Sequence, residues 1–151
     1  MLIHFICRGN VLRSLVAETY LKSLNLPNIQ TMSSGTNVDF TIPQEREFFS
    51  NTQALLNRNG ILRFAKTEPN QLTQKRIDSS DVTVIVNQRA YDEAKLLVTL
   101  PQNTVVLEIV DIGEGDRVVA NGNRQSLEDT IYSELTTTVD GLVQNLNLSK
   151  S

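Results

Sequence analysis

Residues 7–14 place a thiol, a guanidinium and a hydroxyl within one short segment, Cys-Arg-Gly-Asn-Val-Leu-Arg-Ser. Cys7 is the only cysteine of the chain, and it directly follows the mostly apolar residues 2–6. An ionised thiol is a strong nucleophile, and the planar fork of Arg13 can hold two oxygens of a phosphate-like anion. Ser14 can donate a hydrogen bond to the sulfur. The segment therefore predicts nucleophilic chemistry on a bound oxyanion.

The same segment has the features of an anion-binding loop between a strand and a helix. Gly9 permits a tight backbone path, and Asn10 tolerates a left-handed conformation while its amide braces the loop. Several backbone N–H groups would point at one centre, and the positive end of the helix dipole would add to them. These N–H groups belong to Arg8, Gly9, Asn10, Val11 and Leu12. This field favours the thiolate of Cys7, which could attack phosphorus and form a cysteinyl-phosphate.

A buried and inert cysteine is the competing interpretation of Cys7, because free cysteines often act as small hydrophobic residues. The spacing of six positions between Cys7 and Arg13 does not decide between the two by itself. A strand before the cysteine, Gly-Asn inside the loop, serine after the arginine and an amphipathic helix beyond it together favour the reactive thiol.

Strands and helices alternate along the rest of the chain. Strands are predicted at residues 2–7, 29–34, 82–86 and 104–110. Helices are predicted at residues 14–24, 44–58, around 72–81, 88–97 and, opened by a Ser126-x-x-Asp129 capping pattern, 126–146. In the second helix, Phe48, Ala54 and Leu55 are expected to face the core. The alternation predicts an α/β fold with a parallel sheet, helices on both faces and a ligand site at the carboxyl ends of the strands.

Length and composition bound the class of protein. A chain of 151 residues is the size of one domain, residues 1–151, and can bury a full core. A net charge of −3 argues against nucleic acid or an anionic membrane as the partner, and no window is apolar enough to span a bilayer. The first residues lack the pattern of a signal peptide, so the expected location is the cytoplasm.

The few metal-binding side chains limit the cofactors that the chain could use. One cysteine and one histidine, His4, argue against an internal disulfide and against a Cys/His zinc site. His4 lies inside the first predicted strand and is expected to be a buried, hydrogen-bonded residue. We expect neither a metal nor an organic cofactor, because the loop amides and Arg13 can supply the positive charge that a metal would bring.

The chain resembles the low-molecular-weight protein tyrosine phosphatases, whose signature is Cys-x-Gly-Asn-x-Cys-Arg-Ser-Pro. The matching residues are Cys7, Gly9, Asn10, Arg13 and Ser14. Residues 33–36, 59–61 and 79–86 are similar to further segments of the family, so the likeness covers nearly the whole chain. The resemblance implies a three-layer sandwich around a four-stranded parallel sheet. It also implies a phosphatase that acts on phosphotyrosine proteins or small aryl phosphates and that binds phosphate or sulfate.

The resemblance also assigns roles outside the loop. Asp111 falls at the place of the family's general acid, which protonates the leaving oxygen and then activates water, and Asp116 is the alternative. Ser33 corresponds to the family serine that braces the phosphate loop through Asn10.

Several positions depart from the family pattern. Leu12 and Leu15 replace the second cysteine and the proline of the signature, and Ile112 follows the acid where the family has proline. The aromatic residues that pack on a phenol ring are missing from that loop, and Phe40 and Tyr132 are the aromatic residues that could replace this wall. We find no clear counterpart of the family's mid-chain histidine.

Three other functions are alternatives to a phosphotyrosine phosphatase. Arsenate reductases of this fold pass the oxidation to further cysteines, which this chain lacks. Protein arginine phosphatases usually carry threonine where this loop has Val11, so the apolar residue favours phosphotyrosine. A non-catalytic phosphate-binding module is the third alternative, because Ile112 and the missing aromatic residues could weaken acid catalysis. The protein is expected to be a monomer or a weak dimer.

Overall fold

Four parallel strands form the central sheet of the computed structural model, which describes residues 1–146. The strands are β1 (Leu2–Cys7), β2 (Gln30–Gly35), β3 (Val82–Ile85) and β4 (Val105–Val106), in the spatial order β2-β1-β3-β4. Each neighbouring pair is parallel, with Cys7 opposite Gly35 and Ile6 opposite Ile85. The predicted four-stranded parallel sheet is confirmed.

Helices cover both faces of this sheet, as predicted. They are α1 (Arg13–Ser23), α2 (Pro43–Arg58), α3 (Gln74–Asp78), α4 (Gln88–Leu97) and α5 (Arg124–Asn145), with a short 3-10 helix at Leu62–Phe64. On one face, α1, α2 and α5 pack against Ile3 and Phe5 of β1. On the other face, α3 and α4 pack against Ile6 and Ile85. Burial of β1 on both faces explains its nearly continuous apolar sequence.

The strand order places the carboxyl end of β1 at a crevice. The chain leaves β1 for β2 on one side and later returns to β3 on the other, so the connections diverge between β1 and β3. Doubly wound α/β sheets bind ligands at this point, beyond the carboxyl ends of the strands. Cys7 ends β1 and Arg13 begins α1, so residues 8–12 form the loop that borders the crevice.

The fourth strand is much shorter than the predicted strand of residues 104–110. Regular pairing is limited to Val105–Val106, at the edge of the sheet. Beyond it, single hydrogen bonds still tie the chain to β3, from Leu107 N to Ile85 O at 2.7 Å and from Ile109 N to Val86 O at 2.9 Å. The segment is extended but leaves the regular ladder, and this path brings the Ile109 carbonyl to the side chain of Arg13.

The last helix begins earlier than predicted and without the Ser126-x-x-Asp129 capping pattern. Ser126 is exposed inside the first turn of α5, which starts at Arg124. The side chain of Asn123 bonds to the loop before the helix: its oxygen accepts from Ala120 N at 2.7 Å, and its nitrogen donates to Val118 O at 2.9 Å. These two bonds hold the loop in place and set the start of the helix. Neither α5 nor another helix within residues 1–146 is both long and apolar enough to cross a membrane.

The buried face of α2 differs from the predicted one. Ala54 is exposed and Phe48 is half-buried, whereas the buried residues are Phe49, Thr52, Leu55 and Leu56. The hydroxyl of Thr52 donates to the Val11 carbonyl in the loop after β1. This contact fixes the rotation of α2 and leaves Phe48 facing the crevice above Cys7.

Candidate active site

The sulfur of Cys7 lies beneath the predicted anion-binding loop and receives hydrogen bonds from it. The backbone N–H of Asn10 donates to Cys7 Sγ at 3.2 Å, and Ser14 Oγ lies 2.9 Å from the sulfur. Cys7 is only 3% exposed, yet it borders a pocket. Within the described residues, no side chain caps the start of α1 at Leu12, so the N–H groups of the first helical turn remain available to an anion.

Asn10 holds the loop in shape. Its backbone is left-handed, with φ at +56°, as its residue type predicts. The side-chain Nδ2 of Asn10 donates to Ser14 Oγ at 2.7 Å and to Ser33 Oγ at 2.9 Å. The proton of Ser14 Oγ can point at Cys7 Sγ at 2.9 Å or at the Ser34 carbonyl at 3.4 Å, and the shorter distance favours the sulfur. Ser33 therefore braces the loop through Asn10, as the resemblance implies.

Lys66, which the sequence analysis did not identify, binds the other end of the Asn10 amide. Its Nζ donates to Asn10 Oδ1 at 2.5 Å and to the Ser33 carbonyl at 2.8 Å, and Asn70 N donates to the same Asn10 oxygen at 2.9 Å. The buried Glu18 accepts from Ser33 Oγ at 2.5 Å and lies 3.7 Å from Lys66 Nζ. Burial lowers the pKa of Lys66 to about 8, although the charges of Glu18 and Cys7 oppose this shift.

Arg13 and Asp111 meet at the edge of the pocket. Arg13 is buried; its Nη1 donates to the Ile109 carbonyl at 2.9 Å, and its Nη2 lies 3.3 Å from Asp111 Oδ2. The backbone N–H of Ile112 donates to Asp111 Oδ1 at 2.8 Å. Asp116, the alternative acid, is exposed and does not line this pocket. Of the two candidate aspartates, Asp111 is the one that pairs with Arg13 and shares the pocket with Cys7.

A cavity of about 340 Å³ opens above Cys7. Its apolar wall consists of Val11, Leu12, Phe48 and Ile112. Its polar lining outside the loop consists of Asn37, Glu45, Asp111 and Arg124. The guanidinium of Arg124 lies 4.4 Å from the ring centre of Phe48 and covers that side of the ring. The cavity thus combines an anion-binding floor with walls suited to a flat apolar group.

The aromatic residue in the pocket is Phe48, and not Phe40, for which the sequence predicts a substrate contact. Phe40 packs edge to face on Phe49, with ring centres 5.4 Å apart, and does not line the cavity. Its loop is held in that position because Arg46 donates to the Phe40 carbonyl at 2.9 Å. Tyr132 is equally remote, since it lines a separate surface pocket on α5. Only the packing of α2 shows that Phe48 takes this place.

Gly35 lets β2 approach the loop. A Cβ at this position would lie 2.4 Å from the Arg8 carbonyl oxygen and 2.9 Å from Asn10 N. Both neighbours are backbone atoms of the anion-binding loop, so a side chain would displace the loop itself. Gly9 differs, because a Cβ there would lie 3.5 Å from Glu45 Oε1, which is an ordinary van der Waals contact.

A thiol beneath such a loop, at the switch point of a doubly wound sheet, defines a class of α/β proteins that bind a phosphate-like anion over a nucleophilic cysteine. The chain belongs to the low molecular weight phosphotyrosine protein phosphatase family, whose model matches residues 2–147. No match is found among the curated proteins.

Solved structures share this fold at low sequence identity. The low molecular weight protein tyrosine phosphatase from T. tengcongensis matches with a TM-score of 0.71 and 19% identity, over 96% of this chain and 99% of that one. YwlE arginine phosphatase from Geobacillus stearothermophilus matches with a TM-score of 0.64 and 19% identity, over 99% of this chain and 94% of that one. A thioredoxin-dependent arsenate reductase from Corynebacterium glutamicum matches with a TM-score of 0.65 and 19% identity, over 98% of this chain and 62% of that one. Because the three differ in activity by name, the fold does not set the substrate.

Proposed function

We propose that this protein hydrolyses aryl phosphate monoesters, phosphotyrosine among them, through a cysteinyl-phosphate intermediate. The observation that carries the proposal is the convergence on Cys7 Sγ of the Asn10 N–H at 3.2 Å and the Ser14 hydroxyl at 2.9 Å, at the floor of a pocket bordered by Arg13 and Asp111. These groups stabilise negative charge on the sulfur and on a bound phosphoryl group.

In the first step, Cys7 Sγ bonds to phosphorus while the bond from phosphorus to the leaving oxygen breaks. Protonated Asp111 donates its proton to that oxygen, so the alcohol leaves neutral. The loop N–H groups and the Arg13 fork hold the other phosphoryl oxygens during the transfer.

In the second step, the Asp111 carboxylate takes a proton from water as the water oxygen attacks phosphorus. The bond from sulfur to phosphorus breaks, phosphate leaves, and Cys7 returns as a thiolate. Ser14 donates a hydrogen bond to the departing sulfur, from which its hydroxyl oxygen lies 2.9 Å. The thiolate is thereby a better leaving group.

The pocket walls support an aryl substrate. Phe48 and Ile112 supply apolar surface for a phenol ring, and Val11 is apolar where arginine phosphatases usually carry threonine. Phosphoarginine is the competing substrate, since an arginine phosphatase shares the fold. Turnover of a phosphotyrosine peptide and of a phosphoarginine peptide, measured side by side, separates the two.

The test of the reaction is turnover of p-nitrophenyl phosphate in the presence of a metal chelator. We expect hydrolysis by the wild type, none by Cys7→Ser, and retained binding of inorganic phosphate by Cys7→Ser. Wild-type protein that binds phosphate but does not turn the substrate over would instead be the non-catalytic phosphate-binding module.

A further inference from the structure

Glu45 is a carboxylate on the pocket wall that meets no cation of its own. It lies in the first turn of α2, lines the cavity and sits over Gly9, where an added Cβ would be 3.5 Å from its Oε1. Among residues 1–146, it forms neither a hydrogen bond nor an ion pair through its side chain. Its charge therefore faces the substrate cavity without a close partner.

The other charged groups of the cavity are already engaged. The three arginines that border it are paired with carboxylates: Arg13 with Asp111 at 3.3 Å, Arg8 with Glu93 at 3.3 Å and Arg124 with Glu128 at 3.2 Å. On the wall at Glu45, a substrate thus finds a carboxylate that no cation bonds, although the floor of the same cavity is built for an anion.

A capping bond at the start of α2 does not account for Glu45. Acidic residues are common in a first helical turn, where they can bond back to the residue before the helix or interact with the helix dipole. No such bond to Ile42, the residue before α2, is formed within the described residues. Burial and the neighbouring carboxylate of Asp111 raise the pKa of Glu45, against the opposing effect of Arg8. A positive group brought by the substrate would relieve this unfavourable environment.

We propose, building on the phosphatase activity above, that Glu45 makes this pocket select phosphopeptides with a lysine or arginine beside the phosphorylated residue and disfavour those with an acidic neighbour. With the phosphoryl group on the loop above Cys7 and the ring against Phe48, the wall at Glu45 is left for the adjacent residue. Lysine and arginine side chains are long enough to reach this wall from a peptide backbone outside the cavity. A half-buried ion pair there stabilises the complex more than an exposed one.

Three phosphotyrosine peptides that differ only in one flanking residue, lysine, glutamine or glutamate, test the proposal. For the wild type, we expect kcat/KM for the lysine peptide to exceed that for the glutamate peptide by roughly tenfold, which corresponds to one half-buried charge pair. Glu45→Gln should reduce this ratio to roughly twofold, and Glu45→Lys should invert it. Glu47→Gln is the matched control, because it removes the same net charge from an exposed position on α2 and should keep the wild-type ratio.

A ratio that is unchanged in Glu45→Gln would overturn the proposal. An equal rise of kcat/KM for all three peptides would also overturn it, since Glu45 would then act on the phosphate alone. Dissociation constants of the same peptides for Cys7→Ser protein give a readout that needs no turnover. If the wild type fails to hydrolyse any aryl phosphate, the proposed reaction is wrong, whereas the affinity ratio in Cys7→Ser and in Cys7→Ser with Glu45→Gln still decides the charge selection.

Discussion

Lys66 Nζ donates a hydrogen bond of 2.5 Å to Oδ1 of Asn10, the residue that closes the anion-binding loop over Cys7. The backbone of Asn10 is left-handed and is kept so by bonds at both ends of its amide. A partly buried ammonium thus takes part in shaping the loop, and its charge is offset by Glu18 at 3.7 Å. We therefore expect the shape of this loop to depend on the protonation of Lys66, a residue that does not line the pocket.

We expect kcat/KM for an aryl phosphate to fall above about pH 8, because burial lowers the pKa of Lys66 to about 8 and the neutral amine holds Asn10 less strongly. Lys66→Arg stays charged and should move this alkaline decline upward by roughly one pH unit or more. Profiles of kcat and of KM against pH for both proteins measure the shift. A decline at the same pH in the arginine variant would show that Lys66 is not its cause.

Asp111→Asn should lower kcat/KM for phenyl phosphate by roughly 10²- to 10³-fold, because the leaving phenolate would depart without a proton. The loss should be smaller for p-nitrophenyl phosphate, whose leaving group is a stable anion. Asp116→Asn makes the same charge change in the same loop, away from the pocket, and should leave both rates near the wild-type values. Steady-state kinetics with the two esters provide the measurement; the reverse pattern would assign the acid to Asp116.

Gly35→Ala should destabilise the fold by roughly 1–3 kcal/mol and weaken phosphate binding, because the new Cβ would lie 2.4 Å from the backbone oxygen of Arg8. Gly141→Ala is the matched control, since no atom lies within 4 Å of a Cβ at that helical position. There, alanine should stabilise α5 by about 0.5–1 kcal/mol. Urea unfolding of the wild type and the two variants measures the expected loss and the expected gain of stability, and phosphate titrations measure the binding. Equal stability of the two variants would contradict the close approach of β2 to the loop.

Stability should fall in acid because of His4, which is buried between Ser34 Oγ at 2.6 Å and Ser80 Oγ at 3.2 Å. Burial, with Arg76 and Lys66 nearby, lowers its pKa from 6.5 to about 4. Between these two pH values, His4 is more often protonated in the unfolded chain than in the folded one. The free energy of unfolding should therefore drop by up to about 3 kcal/mol as the pH falls from about 6.5 to about 4. His4→Gln should lack this part of the pH dependence in urea unfolding; parallel curves for the two proteins would refute the assignment.

The contiguous unit of β1, loop and α1 could be read from the sequence, because its signals are local. An apolar run, a Gly-Asn pair and an arginine followed by serine lie within residues 2–14, and each constrains the backbone next to it. The same holds for α4, whose predicted bounds of 88–97 match Gln88–Leu97. The fourth strand was predicted too long, because a β-branched run does not reveal where an edge strand leaves its partner.

The sequence by itself predicted the candidate nucleophile Cys7 at the end of the first strand, Arg13 at the start of the following helix, and the family to which the segment points. Tertiary structure alone decided which distant side chains complete the site. Lys66 bonds to Asn10, Glu18 bonds to Ser33, Phe48 and not Phe40 lines the pocket, and Glu45 reaches Gly9. These contacts depend on how α2 rotates and how the segment after the 3-10 helix packs on β2. No periodicity in the sequence encodes that, because it arises from packing between elements far apart in the chain.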